Sequence, residues 1–134
     1  MDFSVDRETE ALRERVRAVL EERVIPRAGE ATPANLEALT KALQQEAREW
    51  GVFLPHMPKE LGGLGLSWTQ LAVVLEEAGR SLLGPRALNA AAPDEGTMHL
   101  LHKVATPEQQ KRYLEPLVAG EVRSGFAMTE PMGA

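Results

Sequence analysis

The residues best suited to do chemistry stand in one stretch near the end of the chain, residues 122–129. Side chains of an extended segment alternate between two faces, so Phe126 and Met128 lie on one side of it. Gly125 lies on the other side, where its small size leaves room for a flat group against the backbone. Thr129 offers a hydroxyl and a backbone N–H just before a proline, which cannot continue a strand ladder. The pattern predicts a terminal β-strand whose end can hold a ligand, although many strands end this way and bind nothing.

A second suggestive stretch is the glycine-rich loop that contains Gly62, Gly63 and Gly65. Closely spaced glycines can cradle a phosphate with backbone N–H groups. A dinucleotide site also needs a preceding strand and a following acidic residue, and this sequence provides neither. We therefore expect a tight turn between two helices.

Other titratable groups give weaker signals. His99 and His102 share a helical face but have no third ligand nearby, so we predict no metal site. Glu76 and Glu77 point about 100° apart on a helix, so we expect solvated side chains rather than a catalytic carboxylate pair. The chain has no cysteine, which excludes disulfides, thiolate metal sites and cysteine nucleophiles.

Composition places these residues in a helical protein. The chain has 134 residues, enough for one domain, and 43% of them are hydrophobic but only 4% aromatic. A core of Leu, Val and Ala favours packed helices. The net charge is −5 without a basic cluster, which argues against nucleic acid and anionic membrane as partners. Because the N-terminus lacks a signal pattern and no apolar run approaches the ~20 residues of a membrane span, we expect a soluble cytoplasmic protein.

Hydrophobic periodicity and capping residues predict the helices. The predicted helices run from about Val5 toward Ile25, from Thr32 to Gly51, from Ser67 to Gly79, from Pro93 to about Leu101, and from Thr106 to Gly120. Ser67 with Gln70, and Thr106 with Gln109, each form a capping-box pattern. The fold class predicted is all-α, an antiparallel helical bundle of about five to six helices with one terminal β-strand. Residues 1–121 would form the bundle, and 122–134 the first strand of a β domain.

Three stretches together resemble one known family. Phe126-Ala-Met-Thr-Glu-Pro131 followed by Met-Gly-Ala134 is similar to the flavin-binding strand of the acyl-CoA dehydrogenase family, whose usual form is aromatic-x-(Met/Val/Leu)-Thr-Glu-Pro and then Gly-Ser-Asp. Pro58-x-Glu60-x-Gly62-Gly63-x-Gly65 resembles a loop of that family. The helix with Gln109-Gln110-Lys111-x-Tyr113-Leu114 resembles the family's helix before the strand. The resemblance covers the whole chain in order.

The resemblance implies a specific activity. Members of the family remove a proton from the α carbon of an acyl-CoA thioester and transfer the β hydrogen as hydride to FAD. By motif position, Phe126, Met128 and Thr129 would contact the flavin, and Met98 would form a wall of the acyl-chain pocket. The family's glutamate base lies in a C-terminal bundle, so no residue here is assigned a catalytic role. The family also implies a homo-oligomer.

Two functional hypotheses follow from these observations. In the first, the chain is the N-terminal helical domain of a FAD-dependent acyl-CoA dehydrogenase, truncated at the start of the β domain. It would then neither retain FAD nor oxidise acyl-CoA by itself. In the second, it is a non-catalytic helical module from a split or truncated gene that binds another protein through exposed apolar surface.

Overall fold

Helices dominate the computed structural model, which describes residues 4–133. The α-helices are α1 (Arg7–Val19), α2 (Leu36–Glu49), α3 (Trp68–Ala78), α4 (Gly84–Ala87), α5 (Asp94–Val104), α6 (Pro107–Gln109) and α7 (Glu115–Val118). One π-helical turn, Leu20–Val24, extends α1, and another, Gln110–Leu114, joins α6 to α7. The 3₁₀ turns are Ile25–Glu30 and Lys59–Leu61. The predicted helical bundle is confirmed.

The first helix begins after the capping residue Asp6. The Asp6 carboxylate accepts a hydrogen bond from the Thr9 backbone N–H at 2.7 Å, which satisfies a donor that the first turn leaves unpaired. Val16, Val19 and Leu20 form a fully buried stripe on this helix. The π-helical turn ends at Val24, just before Pro26, and a separate 3₁₀ turn then runs to Glu30.

Both predicted capping boxes are present. The Ser67 hydroxyl accepts from the Gln70 N–H at 3.3 Å, and Gln70 Oε1 accepts from the Ser67 N–H at 3.0 Å. Thr106 and Gln109 make the same reciprocal pair at 3.3 and 2.8 Å. Each box satisfies two backbone donors and so determines where α3 and α6 begin.

One hydrophobic core joins the elements. Its largest fully buried side chains are Leu20, Leu43, Leu54, Met57, Leu88, Met98 and Leu114. They come from the turn after α1, from α2, the loop after α2, the end of α4, α5 and the π-helical turn after α6. Helix α3 adds the smaller buried side chains of Val74 and Ala78. Within the described residues, no helix is both long enough and apolar enough to cross a lipid bilayer.

Glu77 departs from the expectation of a solvated glutamate. Its carboxylate is buried on α3, where Oε1 lies 2.6 Å from Arg17 Nη2 and Oε2 lies 3.1 Å from Arg80 Nη1. Arg80 Nη2 also pairs with Glu21 at 2.9 Å. Glu77 is buried because α3 turns this position toward α1, where Arg17 neutralises the buried charge.

The terminal strand is the main structural prediction that was wrong. Residues 123–130 have no regular secondary structure, and no strand occurs anywhere in the described range 4–133. A single extended segment has no neighbour to pair with its N–H and C=O groups, so a ladder cannot form. The proposed domain boundary after residue 121 stays a prediction. Residues 1–3 and Ala134 lie outside the described residues.

Candidate functional site

The predicted flavin-contact residues lie together on the surface after Gly120. Phe126 is 70% exposed, Met128 is 67% exposed, and Thr129 is exposed. The segment is not helical, and nothing covers the Thr129 side chain. The structure therefore leaves all three side chains accessible, as a surface for a flat cofactor requires.

This segment is attached to the bundle at the beginning of α5. Asp94 Oδ1 accepts hydrogen bonds from the Ser124 backbone N–H at 2.6 Å and from Ser124 Oγ at 2.8 Å. Asp94 Oδ2 pairs with Arg123 Nη2 at 3.0 Å. Ser124 Oγ also lies 3.1 Å from Thr97 Oγ1, one turn further along α5. We call this cluster of Asp94, Thr97, Arg123 and Ser124 the α5 clamp.

A groove lies beside the clamp and includes a predicted site residue. It has a volume of about 310 Å³. Its lining is Ala92, Pro93, Glu95, Gly96, Thr97, Leu100 and Phe126. The residues are mostly small or apolar, so the groove suits a narrow apolar group. Phe126 thus belongs to the same surface as the first turns of α5.

The segment has three features that a flavin-contact surface would need. A Cβ built on Gly125 would meet no atom within 4 Å, so the backbone there is open to a flat ring. The apolar side chains of Phe126 and Met128 are exposed beside that opening. Within residues 4–133, neither the Thr129 hydroxyl nor its N–H has a hydrogen-bond partner, so both are free to donate.

Met98 is fully buried in the core and does not line the groove beside the clamp. Its role as a wall of the acyl-chain pocket stays a prediction. Met98 stands two positions after Gly96 on α5, and a two-residue step turns a helical side chain to the opposite face. Gly96 and Leu100, four apart on one face, line the groove instead.

A second, more polar cavity of about 190 Å³ adjoins the clamp at Asp94 and Arg123. Its lining includes Thr40, Lys41, Gln44, Arg86 and Arg123, together with the acidic groups of Glu37, Asp94 and Glu121. The cations and anions balance, so the cavity presents no net charge to a ligand.

The glycine-rich loop is a tight turn, as expected. Gly62 and Gly65 have φ of 83° and 63°, in the left-handed region that favours glycine. A Cβ on Gly63 would lie 2.0 Å from the Met57 carbonyl oxygen, so no larger residue fits without movement. The glycines serve the packing of this loop.

Histidines meet at the junction of α3, α5 and the loop after α2. The His56 and His99 rings lie 5.4 Å apart edge to face, and the Trp68 ring lies 5.7 Å from His99. Burial, with a smaller contribution from His99, lowers the pKa of His56 to about 4, so this imidazole is neutral at pH 7. Among the described residues, no group of three His, Cys, Asp or Glu side chains can hold a metal ion.

The sequence analysis missed Asp94 and Ser124. They are 30 positions apart, and neither lies in a local motif that marks a contact. An acidic residue in the first turn of a helix is commonly explained by the helix dipole, which hides its second role here.

Comparison with known proteins supports one family. The sequence profile described as "Acyl-CoA dehydrogenase, N-terminal domain" matches residues 6–121. Acyl-CoA dehydrogenase family member 11 of Gallus gallus is 39% identical over 99 residues, which cover 74% of this chain and 12% of that protein. The probable acyl-CoA dehydrogenase FadE2 of Mycobacterium tuberculosis is 38% identical over 104 residues, which cover 75% of this chain and 25% of the relative.

A solved structure agrees with these relatives. A Mycobacterium abscessus protein assigned as an acyl-CoA dehydrogenase superposes with a TM-score of 0.85 at 34% identity. The superposition covers 98% of this chain and 36% of the other. The chain therefore spans only a minor part of the length of the proteins it matches. It belongs to the acyl-CoA dehydrogenase family and corresponds to that family's N-terminal helical domain.

Proposed function

We propose that this chain contributes to FAD-dependent α,β-dehydrogenation of an acyl-CoA thioester. The observation that carries the proposal is the exposed segment of Phe126, Met128 and Thr129, which is held at the start of α5 next to an apolar groove. FAD would supply the acceptor for the hydride that leaves the β carbon. The chain's own residues would bind and orient the reactants.

The segment is suited to hold one edge of a flavin. Phe126 and Met128 present apolar side chains that exclude water from the ring. Thr129 presents a hydroxyl and a backbone N–H that can donate to polar atoms of the ring. Donors fixed in advance stabilise negative charge that develops during hydride transfer, because they need no reorganisation in the transition state.

The groove on α5 is suited to the acyl chain. Its walls of Ala92, Gly96 and Leu100 offer apolar contact, and Phe126 closes one side. Each methylene group buried there contributes about 0.8 kcal/mol to binding. The groove adjoins the proposed flavin surface, because Phe126 belongs to both. The acyl chain and the flavin would therefore meet at the same end of the bundle.

The chain alone would not catalyse the reaction. Abstraction of the α proton needs a carboxylate at the substrate, and none of the described residues is assigned to that role. Glu130 is exposed on the same segment, where nothing shields it from water. We propose that the base and the remaining cofactor contacts come from those regions of the longer relatives that this chain does not match.

A domain graft tests the proposal. Residues 6–130 would replace the matching N-terminal region of the Mycobacterium tuberculosis relative, and flavin content and acyl-CoA oxidation would be measured. The graft should bind FAD and reduce an electron acceptor when given acyl-CoA. Thr129→Val should weaken FAD binding about tenfold, because the hydrogen bond of the hydroxyl to the ring is lost while the backbone N–H stays.

Thr69→Val is the matched control. Thr69 is exposed on α3, away from the segment, so this variant should keep the flavin and the rate of the unmodified graft. A folded graft that contains no flavin, or one in which both threonine variants behave alike, contradicts the proposal. If the chain is instead a protein-interaction module, the graft should fold but should not oxidise acyl-CoA.

A further inference from the structure

Asp94 is a buried acid whose carboxylate serves residues far away in the sequence. It is 4% exposed and stands at the first position of α5. We infer that Asp94 is a positioning residue, which determines where the segment of Phe126, Met128 and Thr129 leaves the bundle. The importance of Asp94 for dehydrogenation rests on the proposed function. Its effect on the position of the segment does not.

The polar attachment of the segment depends on this residue. Among the described residues, every hydrogen bond and ion pair that joins 123–133 to the bundle ends on Asp94 or Thr97. The remaining backbone hydrogen bond within 123–133 is local, from the Gly133 N–H to the Glu130 carbonyl at 3.0 Å. Without the α5 clamp, no hydrogen bond or ion pair among the described residues would hold 123–133 to the bundle.

The chemistry of the clamp explains why the position is an aspartate. A carboxylate accepts from several donors at once, and here it accepts from an N–H, a hydroxyl and a guanidinium. Hydrogen bonds to a charged acceptor are shorter and stronger than neutral ones, and the N–H contact at 2.6 Å is short. Since the carboxylate is buried and α5 is packed in the core, the segment is fixed relative to a rigid element.

The clamp has a geometric consequence for the groove. Phe126 stands two residues after Ser124, and an extended chain advances about 3.3 Å per residue. The side chain therefore cannot move far from the first turns of α5 while Ser124 is held. Asp94 thus couples the exposed segment to the groove wall and makes them one continuous surface.

Nuclear magnetic resonance on the 134-residue chain tests the inference directly. The readouts are the exchange rate of the Ser124 amide and the nuclear Overhauser contacts between the Phe126 ring and Gly96 or Leu100. In Asp94→Ala the amide should exchange about tenfold faster, since a charge-assisted hydrogen bond is lost. The Phe126 contacts should weaken or disappear. Asp94→Asn keeps one acceptor oxygen and should give an intermediate result.

Glu95→Gln is the matched control. It removes the neighbouring acid of the same helical turn, whose carboxylate lies near His99 and makes no polar contact with the segment. This control separates the clamp from a general effect on the helix dipole. Because Glu95 lines the groove together with Phe126, the readout for this control is the exchange rate of the Ser124 amide, which should match that of the unmodified chain.

If Asp94→Ala does not fold, a second variant that changes the partners of Asp94 in the segment still tests the inference. Arg123→Gln combined with Ser124→Ala removes two of the clamp's donors without changing the bundle. The Phe126 contacts should weaken again while core resonances, such as those of Val74 and Leu88, stay in place. Unchanged Phe126 contacts in the folded variants, together with unchanged exchange of the backbone amide at position 124, would overturn the inference. The experiment uses no flavin, so its outcome is separate from that of the graft.

Discussion

At the scale of single residues, Gly63 shows how closely the loop after α2 is packed. Its Cα lies against the Met57 and Leu54 carbonyls, and an added Cβ would lie 2.0 Å from the first oxygen and 2.8 Å from the second. Both neighbours are backbone atoms, which cannot move aside as the end of a side chain can. The position therefore tolerates no side chain.

Gly63→Ala should lower the free energy of unfolding by about 1–3 kcal/mol, because overpacking forces the backbone apart. Gly96→Ala is the control in the opposite direction. Gly96 is inside α5 with no atom within 4 Å of a built Cβ, so alanine should raise stability by up to about 1 kcal/mol. Urea unfolding of both variants measures this. Equal midpoints would contradict the account of the loop.

Single residues also show what sequence could and could not predict. The capping boxes at Ser67 and Thr106 were predicted because both partners lie within four positions and the chemistry is local. The contact between Asp94 and Ser124 could not be predicted from the sequence, because it depends on how α5 and the segment after Gly120 meet in space.

At the scale of elements, the ion-pair network of Glu77 connects α1 with α3. One buried carboxylate contacts two arginines, and one of these reaches on to Glu21. The arginines are about two-fifths exposed, so water and salt weaken their contribution. The pairing with Arg17 and Arg80 lowers the pKa of Glu77 despite its burial.

Glu77→Gln should lower the free energy of unfolding by about 1–2 kcal/mol at pH 7, after allowance for screening at the arginines. Glu76→Gln on the same helix should change it by less than about 0.5 kcal/mol. A depressed carboxyl pKa contributes stability above its unfolded value near 4.5, which is lost as pH falls through the folded value. The difference between Glu77→Gln and the unmodified chain should therefore shrink in acid. A difference that persists unchanged at low pH would contradict this.

The terminal segment shows the limit of pattern reasoning for elements. Alternation over 122–129 predicts a strand, but a strand exists only when a neighbour supplies hydrogen bonds. Helices make theirs internally, which is why their positions were predicted within a few residues while the strand was not. Helix α2, predicted from Thr32, begins at Leu36 because a turn from Thr32 to Asn35 precedes it.

At the scale of the whole molecule, His56 makes the stability of the fold depend on pH. The ring is 7% exposed, and neither ring nitrogen has a hydrogen-bond partner among the described residues. The folded pKa of about 4 is below the ordinary value of 6.5, so between these values the unfolded chain binds a proton that the folded chain does not. Stability therefore falls as pH falls through this window.

Acidification from pH 7 to pH 4 should cost about 3 kcal/mol through His56 alone. His56→Leu should remove this part of the pH dependence, whereas His102→Gln, at an exposed position, should retain it. Urea unfolding at several pH values gives the slopes. Parallel slopes for His56→Leu and the unmodified chain would show that burial of His56 is not the cause.

The most direct test of the account is the flavin content of two purified proteins, the 134-residue chain alone and the graft into its Mycobacterium tuberculosis relative, each after saturation with FAD and removal of free cofactor. The account predicts a colourless chain and a graft with about one flavin per protein, since Phe126, Met128 and Thr129 form one part of the contact surface and the remainder comes from the longer relative. A yellow preparation of the chain alone, or a folded graft without flavin, would contradict it.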